Sequence, residues 1–480
     1  MSTRKSLFYS FLDRYAGLLI TVVSSMVIAR LLTPTEIGVF SVTMVLLMFV
    51  STVRDMGAGQ YMVQEKHLTV ARIRAVWSVQ LSLGVGLAGV VLLASGPVAV
   101  FYNEPRMRDI MGVVALNYLL NPFGSLTHAW LMREMRFESS ALIRFLSGLV
   151  GALTTTGLAW AGHGPISLAW GSLATTLVTA LMSVYFRPRF FPWLPGFSEI
   201  RRVLVFGSQL TASSIVASLA GGAPELLLAK LQDLASAGLY SRSNGLVQMF
   251  HRLFVDAVGA VCLPWFARQS REGGSFVEPF LKATAYVTAF GWSFCLAIIC
   301  LAYPVIRVLY GNQWDASVDL ARLLAVAIAL GVPAALCQTA LLSSGAVTTI
   351  VRVTVNSALQ SVVFAALGAT QGLIGLGLAM ILSSGVTAVL WLRATSRHMS
   401  LPVTGLLHTF RQSGQVALVS GIGPVITLWF YGPYPVDGLG PLVLGAGSAL
   451  TGFLLAVVLF DHPLKNEIRP LWSKLAHRIA

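Results

Sequence analysis

Long apolar stretches separated by short polar ones run through the whole chain, and this alternation is its dominant pattern. Each stretch approaches the roughly 20 apolar residues that an α-helix needs to cross the hydrocarbon of a bilayer. In the first half they cover 7–30, 36–54, 75–101, 109–131, 140–162 and 164–186. The second half repeats the count at 203–229, 235–262, 279–309, 319–344, 349–368 and 372–394, and two more follow at 413–432 and 438–460. The pattern predicts an all-α polytopic membrane protein of about 14 transmembrane helices.

The two halves also resemble each other. At an offset of 200, Ala29, Leu31, Gly38 and Ser41 fall on Ala229, Leu231, Gly238 and Ser241, while Arg30 falls on Lys230 and Phe40 on Tyr240. At 208, Gly164, Ile166 and Leu168 fall on Gly372, Ile374 and Leu376, and Arg144 on Arg352. Agreement at both ends of a long repeat predicts two six-helix lobes in parallel orientation. Such repeats are related by an axis along the membrane normal, with a transport pathway at their interface. The expected organisation is an N-terminal lobe at 1–190, a cytoplasmic linker at 191–202, a second lobe at 203–395 and a second linker at 396–412. Helices 13 and 14 at 413–460 and a basic cytoplasmic tail at 461–480 complete it.

Composition supports the membrane assignment: 56% of residues are hydrophobic and 11% charged, against about 25% charged in soluble domains. Alternating the loops between two sides places 24 of the 33 Lys and Arg residues on one side and 6 on the other. Basic loops avoid translocation, so both termini are expected in the cytoplasm. The same asymmetry accounts for the net charge of +14 without a nucleic-acid partner. Cys262, Cys295, Cys300 and Cys337 lie in or beside apolar spans, which indicates no disulfide framework. The N-terminal segment lacks a signal-peptide pattern, so its first helix is expected to be retained. No phosphate-binding loop and no metal-ligand spacing appears, and no loop is long enough to fold a domain. No metal, cofactor or enzymatic activity is therefore expected.

Charges inside the spans are the candidate functional groups, because an intramembrane charge ordinarily faces a cavity or a partner. Asp13 and Arg14 sit about two turns into the first helix, where Arg14 either snorkels to the surface or lines an inner vestibule. Glu225 and Arg242 lie at similar depth on consecutive helices and are expected to pair, as a substrate or coupling site or as a structural ion lock. Gly221, Gly222 and Pro224 are expected to kink or break the helix carrying Glu225. Deeper on the next helix, His251, Arg252 and Asp256 form a second polar cluster, with Arg252 and Asp256 four residues apart. At the offset of 200 these positions align with Ser51, Thr52 and Met56, so the charges are asymmetric between the halves.

Several segments resemble one family. They are the run from Ala29 to Gly38, Asp55-Met56-Gly57 with the segment from Gln64 to Thr69, and Arg133-Glu134-Met135-Arg136-Phe137. The stretch from Glu225 to Ser241, the run from Leu263 to Arg268, and Tyr310-Gly311-Asn312-Gln313-Trp314 follow in the same order. Together they resemble the lipid-linked oligosaccharide flippases of the polysaccharide-transport branch of the multidrug/oligosaccharidyl-lipid/polysaccharide superfamily. That resemblance implies alternating access and a substrate of undecaprenyl-pyrophosphate-linked oligosaccharide, moved from the inner to the outer leaflet for exopolysaccharide, capsule or O-antigen synthesis. It implies H+ or Na+ as a coupling ion, and a polysaccharide polymerase and a chain-length regulator as partners. Arg14, Arg242 and Arg252 are then the substrate-binding candidates, and Glu225, Asp256 and Asp13 the coupling or ion-pair candidates. The acidic residue of this helix is commonly Asp in the family and is Glu225 here. A cation-coupled drug antiporter of the same superfamily and a membrane glycan polymerase or ligase are the rival readings. The helix pair at 413–460 and the intramembrane arginines argue against the first, and the short outer loops against the second.

Overall fold

A computed structural model describes residues 17, 19–55, 59, 61–62, 65, 68–256, 258–259, 261–262, 265–266, 277–434 and 439–467. The described residues form helices α1 (Leu19–Leu31), α2 (Pro34–Asp55), α3 (Val70–Phe101), α4 (Arg106–Arg133), α5 (Phe137–Trp160) and α6 (Ile166–Tyr185). They continue with α7 (Ile200–Leu231), α8 (Leu234–Val247), α9 (Val277–Leu309), α10 (Val318–Gly331) and α11 (Cys337–Ser343). The last four are α12 (Val347–Ala369), α13 (Gly372–Met399), α14 (Val403–Tyr431) and α15 (Leu439–Leu459). Among the described residues there is no strand, and 11 helical segments are long and apolar enough to cross a membrane.

The chain divides into two compact units, Met1–Gly238 and Leu239–Ala480. In the first, α3 packs on α4, α4 on α6, α5 on α6, and α7 on α2 and α3. In the second, α9 packs on α10 and α14, α10 on α13, α12 on α13, and α14 on α15. Helix lengths recur in order: 32, 28, 24 and 20 residues for α3 to α6, then 33 for α9, 32 for Asn312–Ser343, 23 for α12 and 28 for α13. Pro97 near the end of α3 has its counterpart in Pro304 near the end of α9.

Local chemistry sets the helix starts. Thr33 and Glu36 form a capping box at α2: Thr33 N–H and Oγ1 donate to Glu36 Oε2 at 2.8 and 2.9 Å, and Glu36 N–H donates back to Thr33 Oγ1 at 3.3 Å. Two hundred residues on, Asp233 Oδ1 accepts from Ser236 N–H at 2.6 Å and caps α8 in the same place. The repeat has a direct structural expression here. A Cβ on Gly38 would collide with the Leu234 carbonyl, and a Cβ on Gly238 with the Pro34 carbonyl. Equivalent positions thus meet each other reciprocally, and glycine lets the two backbones touch.

Three expectations about individual helices change. The segment with Gly221, Gly222 and Pro224 is not broken: α7 runs from Ile200 to Leu231 with Pro224 inside it. Gly222 serves close packing, since a Cβ there would strike Val45 of α2. The span at 235–262 is instead interrupted, with a π-turn at His251–Val255 after α8. The span at 319–344 is divided by a 3-10 turn, Val332–Ala334, that accommodates Pro333. Between α13 and α14 only three residues, 400–402, leave the helical path, so Arg393, Arg397 and Arg411 ride on helix ends.

The C-terminal pair is held by a buried polar network. Leu464 N–H donates to His462 Nδ1 at 3.3 Å, which leaves Nε2–H to donate to Ser413 Oγ at 3.4 Å. Ser413 Oγ donates to Ala285 O at 3.2 Å and accepts from Thr288 Oγ1 at 2.8 Å, tying α14 to α9. Burial pushes the His462 imidazole down to about 4, so it is neutral in the folded protein. The unfolded chain, with an ordinary histidine, binds the extra proton first. Stability should therefore fall as pH drops from about 6.5 towards 4. Thermal unfolding in detergent across that window checks this, and His462→Gln should flatten the dependence. Gly38→Ala and Gly238→Ala should each destabilise by about 1–3 kcal/mol through overpacking. Because they disturb one crossing, the double variant should lose less than the sum.

Candidate functional site

Arg242 is the best-defined candidate. It lies in α8, and its guanidinium carbon stands 5.6 Å from the ring centroids of both Tyr310 and Trp314. The two rings are edge-to-face at 6.3 Å, and Trp314 is fully buried. Both come from the turn after α9, where Gly311 takes φ +95°, a left-handed value that glycine adopts freely. Trp314 N–H donates to Gly311 O at 3.3 Å, closing the turn and fixing the indole. Ser243, beside Arg242, donates to Ser317 O at 3.0 Å and so fastens α8 to the same turn. Flanking it, Arg307 grips Asp315 through two bonds of 2.9 Å. The Tyr310–Trp314 segment, legible in the sequence only as part of a resemblance, thus supplies two aromatic faces to an arginine. Such faces attract a cation without neutralising its charge.

Glu225 lies on α7 in the first unit and is 8% exposed, one turn beyond the Gly222–Val45 contact. Nearby, α2 carries a polar seam to α7 and α4: Thr52 Oγ1 lies 3.3 Å from Ser218 Oγ of α7, and Ser51 Oγ 3.1 Å from Tyr118 Oη of α4. Tyr118 Oη also donates to Leu47 O at 2.9 Å, and the Arg54 guanidinium stands 5.7 Å from the Tyr118 ring. Sequence reasoning missed this seam, since Ser51 and Thr52 entered it only as uncharged counterparts of His251 and Arg252. The offset of 200 carried a signal, since it aligns Ser51 and Thr52 with His251 and Arg252, polar at both places.

The second polar cluster sits at the π-turn. Asp256 N–H bonds back to His251 O, a bond between residues five apart in place of the α-helical four. His251 and Asp256 are exposed, whereas the adjoining Phe250, Phe254, Phe290 and Phe294 pack ring against ring at 4.3–5.7 Å. π-turns recur at functional sites because they re-aim side chains. The Arg252 side chain, Asp13 and Arg14 lie outside the described residues. Glu225 and Arg242 belong to different compact units.

Two motifs of the first unit dock on each other. Arg133 Nη1 donates to Met62 O at 2.7 Å and Glu65 O at 2.6 Å, and Arg72 pairs with Glu65 at 3.1 Å. Among the described residues no three His, Cys, Asp or Glu side chains converge as metal ligands. The arrangement around Arg242 offers cation and aromatic contacts suited to an anionic or glycosylated ligand.

Comparison with known proteins gives this geometry a family. The succinoglycan biosynthesis transport protein ExoT of Rhizobium meliloti (strain 1021) is 23% identical over 292 residues, 60% of this chain and 58% of that protein. The lipopolysaccharide biosynthesis protein WzxC of Escherichia coli (strain K12) is 21% identical over 304 residues, 62% and 61% of the two chains. The match thus spans about three fifths of the length of these relatives. Among solved structures, the lipid II flippase MurJ in an inward closed conformation superposes with TM-score 0.77 at 12% identity, covering 97% of this chain and 100% of that one. An inward-facing multidrug resistance MATE family transporter of the MOP superfamily gives TM-score 0.64 at 14% identity, with 80% and 94% covered. These two fix the fold, and a sequence profile described as polysaccharide biosynthesis protein matches residues 27–319. With more than half its length inside that profile, the chain belongs to the polysaccharide biosynthesis protein family.

Proposed function

We infer that this protein is a flippase that carries a lipid-linked oligosaccharide, with undecaprenyl pyrophosphate as the lipid carrier, from the inner to the outer leaflet. Relatives named for succinoglycan transport and for lipopolysaccharide, teichuronic acid and amylovoran biosynthesis support the substrate class. The observation that carries the reading is Arg242 against Tyr310 and Trp314, in a chain of this family. A fork of N–H donors suits pyrophosphate, and aromatic faces suit sugar rings.

The remaining parts follow from this reading. Eleven spans, with α1, α7 and the helical path of α8 through the π-turn, bring the count to fourteen. Two six-helix lobes, pairing Arg30 with Lys230 and Arg144 with Arg352, alternate access to a central site, and both termini face the cytoplasm of an inner membrane. Arg252 and Arg14 serve as further stations for the anionic group. Glu225, Asp256 and Asp13 either bind H+ or Na+ or neutralise the arginines between cycles. A polymerase and a chain-length regulator receive the product, and the protein itself catalyses no bond change.

Deletion of the gene should abolish surface polysaccharide and accumulate lipid-linked oligosaccharide on the inner leaflet. Lost drug tolerance without a glycan defect in the deletion strain would favour the antiporter. Arg242→Gln should reduce export about tenfold or more at normal protein abundance, the equivalent of roughly 1.4 kcal/mol. Arg242→Lys should be intermediate, since it keeps the charge but loses the planar fork. Normal export by Glu225→Gln/Arg242→Gln would make the two residues a structural lock and remove them from the site. Reporter fusions at Lys230 and Ala480 should report the outer and the cytoplasmic side respectively.

A further inference from the structure

The segment between α6 and α7, residues 186–199, is fastened by its backbone and open by its side chains. Trp77 Nε1 donates to Trp193 O at 2.9 Å. Ser78 Oγ accepts from Gly196 N–H at 2.7 Å and donates towards Gly196 O at 2.9 Å. Arg187 Nη2 donates to Pro192 O at 2.7 Å while its guanidinium lies 3.9 Å from the Trp193 ring and 5.3 Å from that of Trp77. Gly196 sits so close to Arg74 that a Cβ would stand 2.9 Å from the arginine's own Cβ. Phe191 is buried in the core of α3 and α4. Its neighbours are not: Phe190 is 57% exposed, Trp193 55%, Leu194 71% and Phe197 66%.

Four large apolar side chains, each more than half exposed, are thus held outward by a pinned backbone. Irregular backbone is excluded from the hydrocarbon core. Between water and that core lies the headgroup region, where aromatic residues with a polar partner collect. Pro188, Pro192 and Pro195 remove three backbone donors from this stretch, which lowers the penalty of leaving bulk water. The surrounding charge fits the same place. Arg74, Arg136, Arg189 and Arg201 are exposed around the segment, with Glu134 the exposed acid among them and Glu199 half-buried. Arg136 stands 5.8 Å from the Trp130 ring, which in turn packs on Phe190 at 6.4 Å. Apolar aromatics ringed by arginines complement an anionic headgroup layer.

We propose that residues 186–199 form a preformed interfacial anchor that binds anionic phospholipid in the leaflet on the basic side of the membrane. Its occupant is phosphatidylglycerol-type lipid rather than a protein partner, because the excess of exposed arginine complements a negative surface. The anchor does not depend on the identity of the transported cargo.

Cysteine placed at Leu194 or Phe197 and labelled with a fluorophore tests the depth. The four native cysteines are buried, which keeps the label at the new site. In vesicles of phosphatidylcholine and phosphatidylglycerol, the label should be quenched by lipids carrying a shallow spin probe and protected from aqueous iodide. A label at His163, in an exposed turn, should show the reverse. Full iodide quenching at Leu194 and Phe197 would overturn the anchor, as would label-to-label contact between two copies. Native mass spectrometry of Arg189→Gln/Arg201→Gln should show phosphatidylglycerol binding weakened by about thirtyfold with phosphatidylcholine binding unchanged. Phe190→Ser/Leu194→Ser keeps the charges and should lose the depth but not the fold, as read by an unchanged Tm. Equal binding of both lipids by the wild-type chain would overturn the proposal.

Discussion

A peptide group without a hydrogen-bond partner costs several kcal/mol in hydrocarbon, and this chain is organised around avoiding that cost. Helices satisfy most of the backbone internally, so the hard places are their ends and interruptions. There the basic residues have a second use beyond topology. Arg133 serves the carbonyls of Met62 and Glu65, Lys230 that of Phe101 at 2.7 Å, Arg187 that of Pro192, and Arg322 that of Ile299 at 3.3 Å. Cations near exposed carbonyls also complement the negative ends of helices. Basic side chains thus close several of the chain's loose ends.

Packing without a strong hydrophobic drive depends on close approach. Gly151 and Gly171 bring α5 and α6 together, Gly368 and Gly375 do so for α12 and α13, and Gly222 seats α7 on α2. Polar contacts then lock what the small residues allow, as Gln360 does by donating to Thr387 Oγ1 at 2.7 Å between α12 and α13. Arg242 follows a different rule. Its charge is set against ring faces supplied from a single turn.

The spans were legible because each boundary is a change in hydropathy, and the helix limits differ from the sequence reading mainly where polar turns extend a helix past the apolar run, as at α13 and α14. The interruptions were less legible. Pro224 looked like a breaker, yet α7 is continuous, because one lost hydrogen bond is a local loss and Gly222 serves the α2 contact. The π-turn at His251 follows no proline or glycine, so composition gave no sign of it. Candidate charges could be picked from depth alone, whereas their partners could not. Tyr310 and Trp314 lie about seventy residues from Arg242, and only the fold brings them together.

The reciprocal contact of Gly38 with Leu234 and of Gly238 with Pro34 has a bearing on the chain's history. Most equivalent positions in a duplicated sequence drift independently, because nothing in the molecule compares one copy with the other. Here the copies touch, and a larger side chain on either would be refused by the backbone of its twin. A change in size at one position is therefore felt at the other, and the offset of 200 stays readable around the crossing.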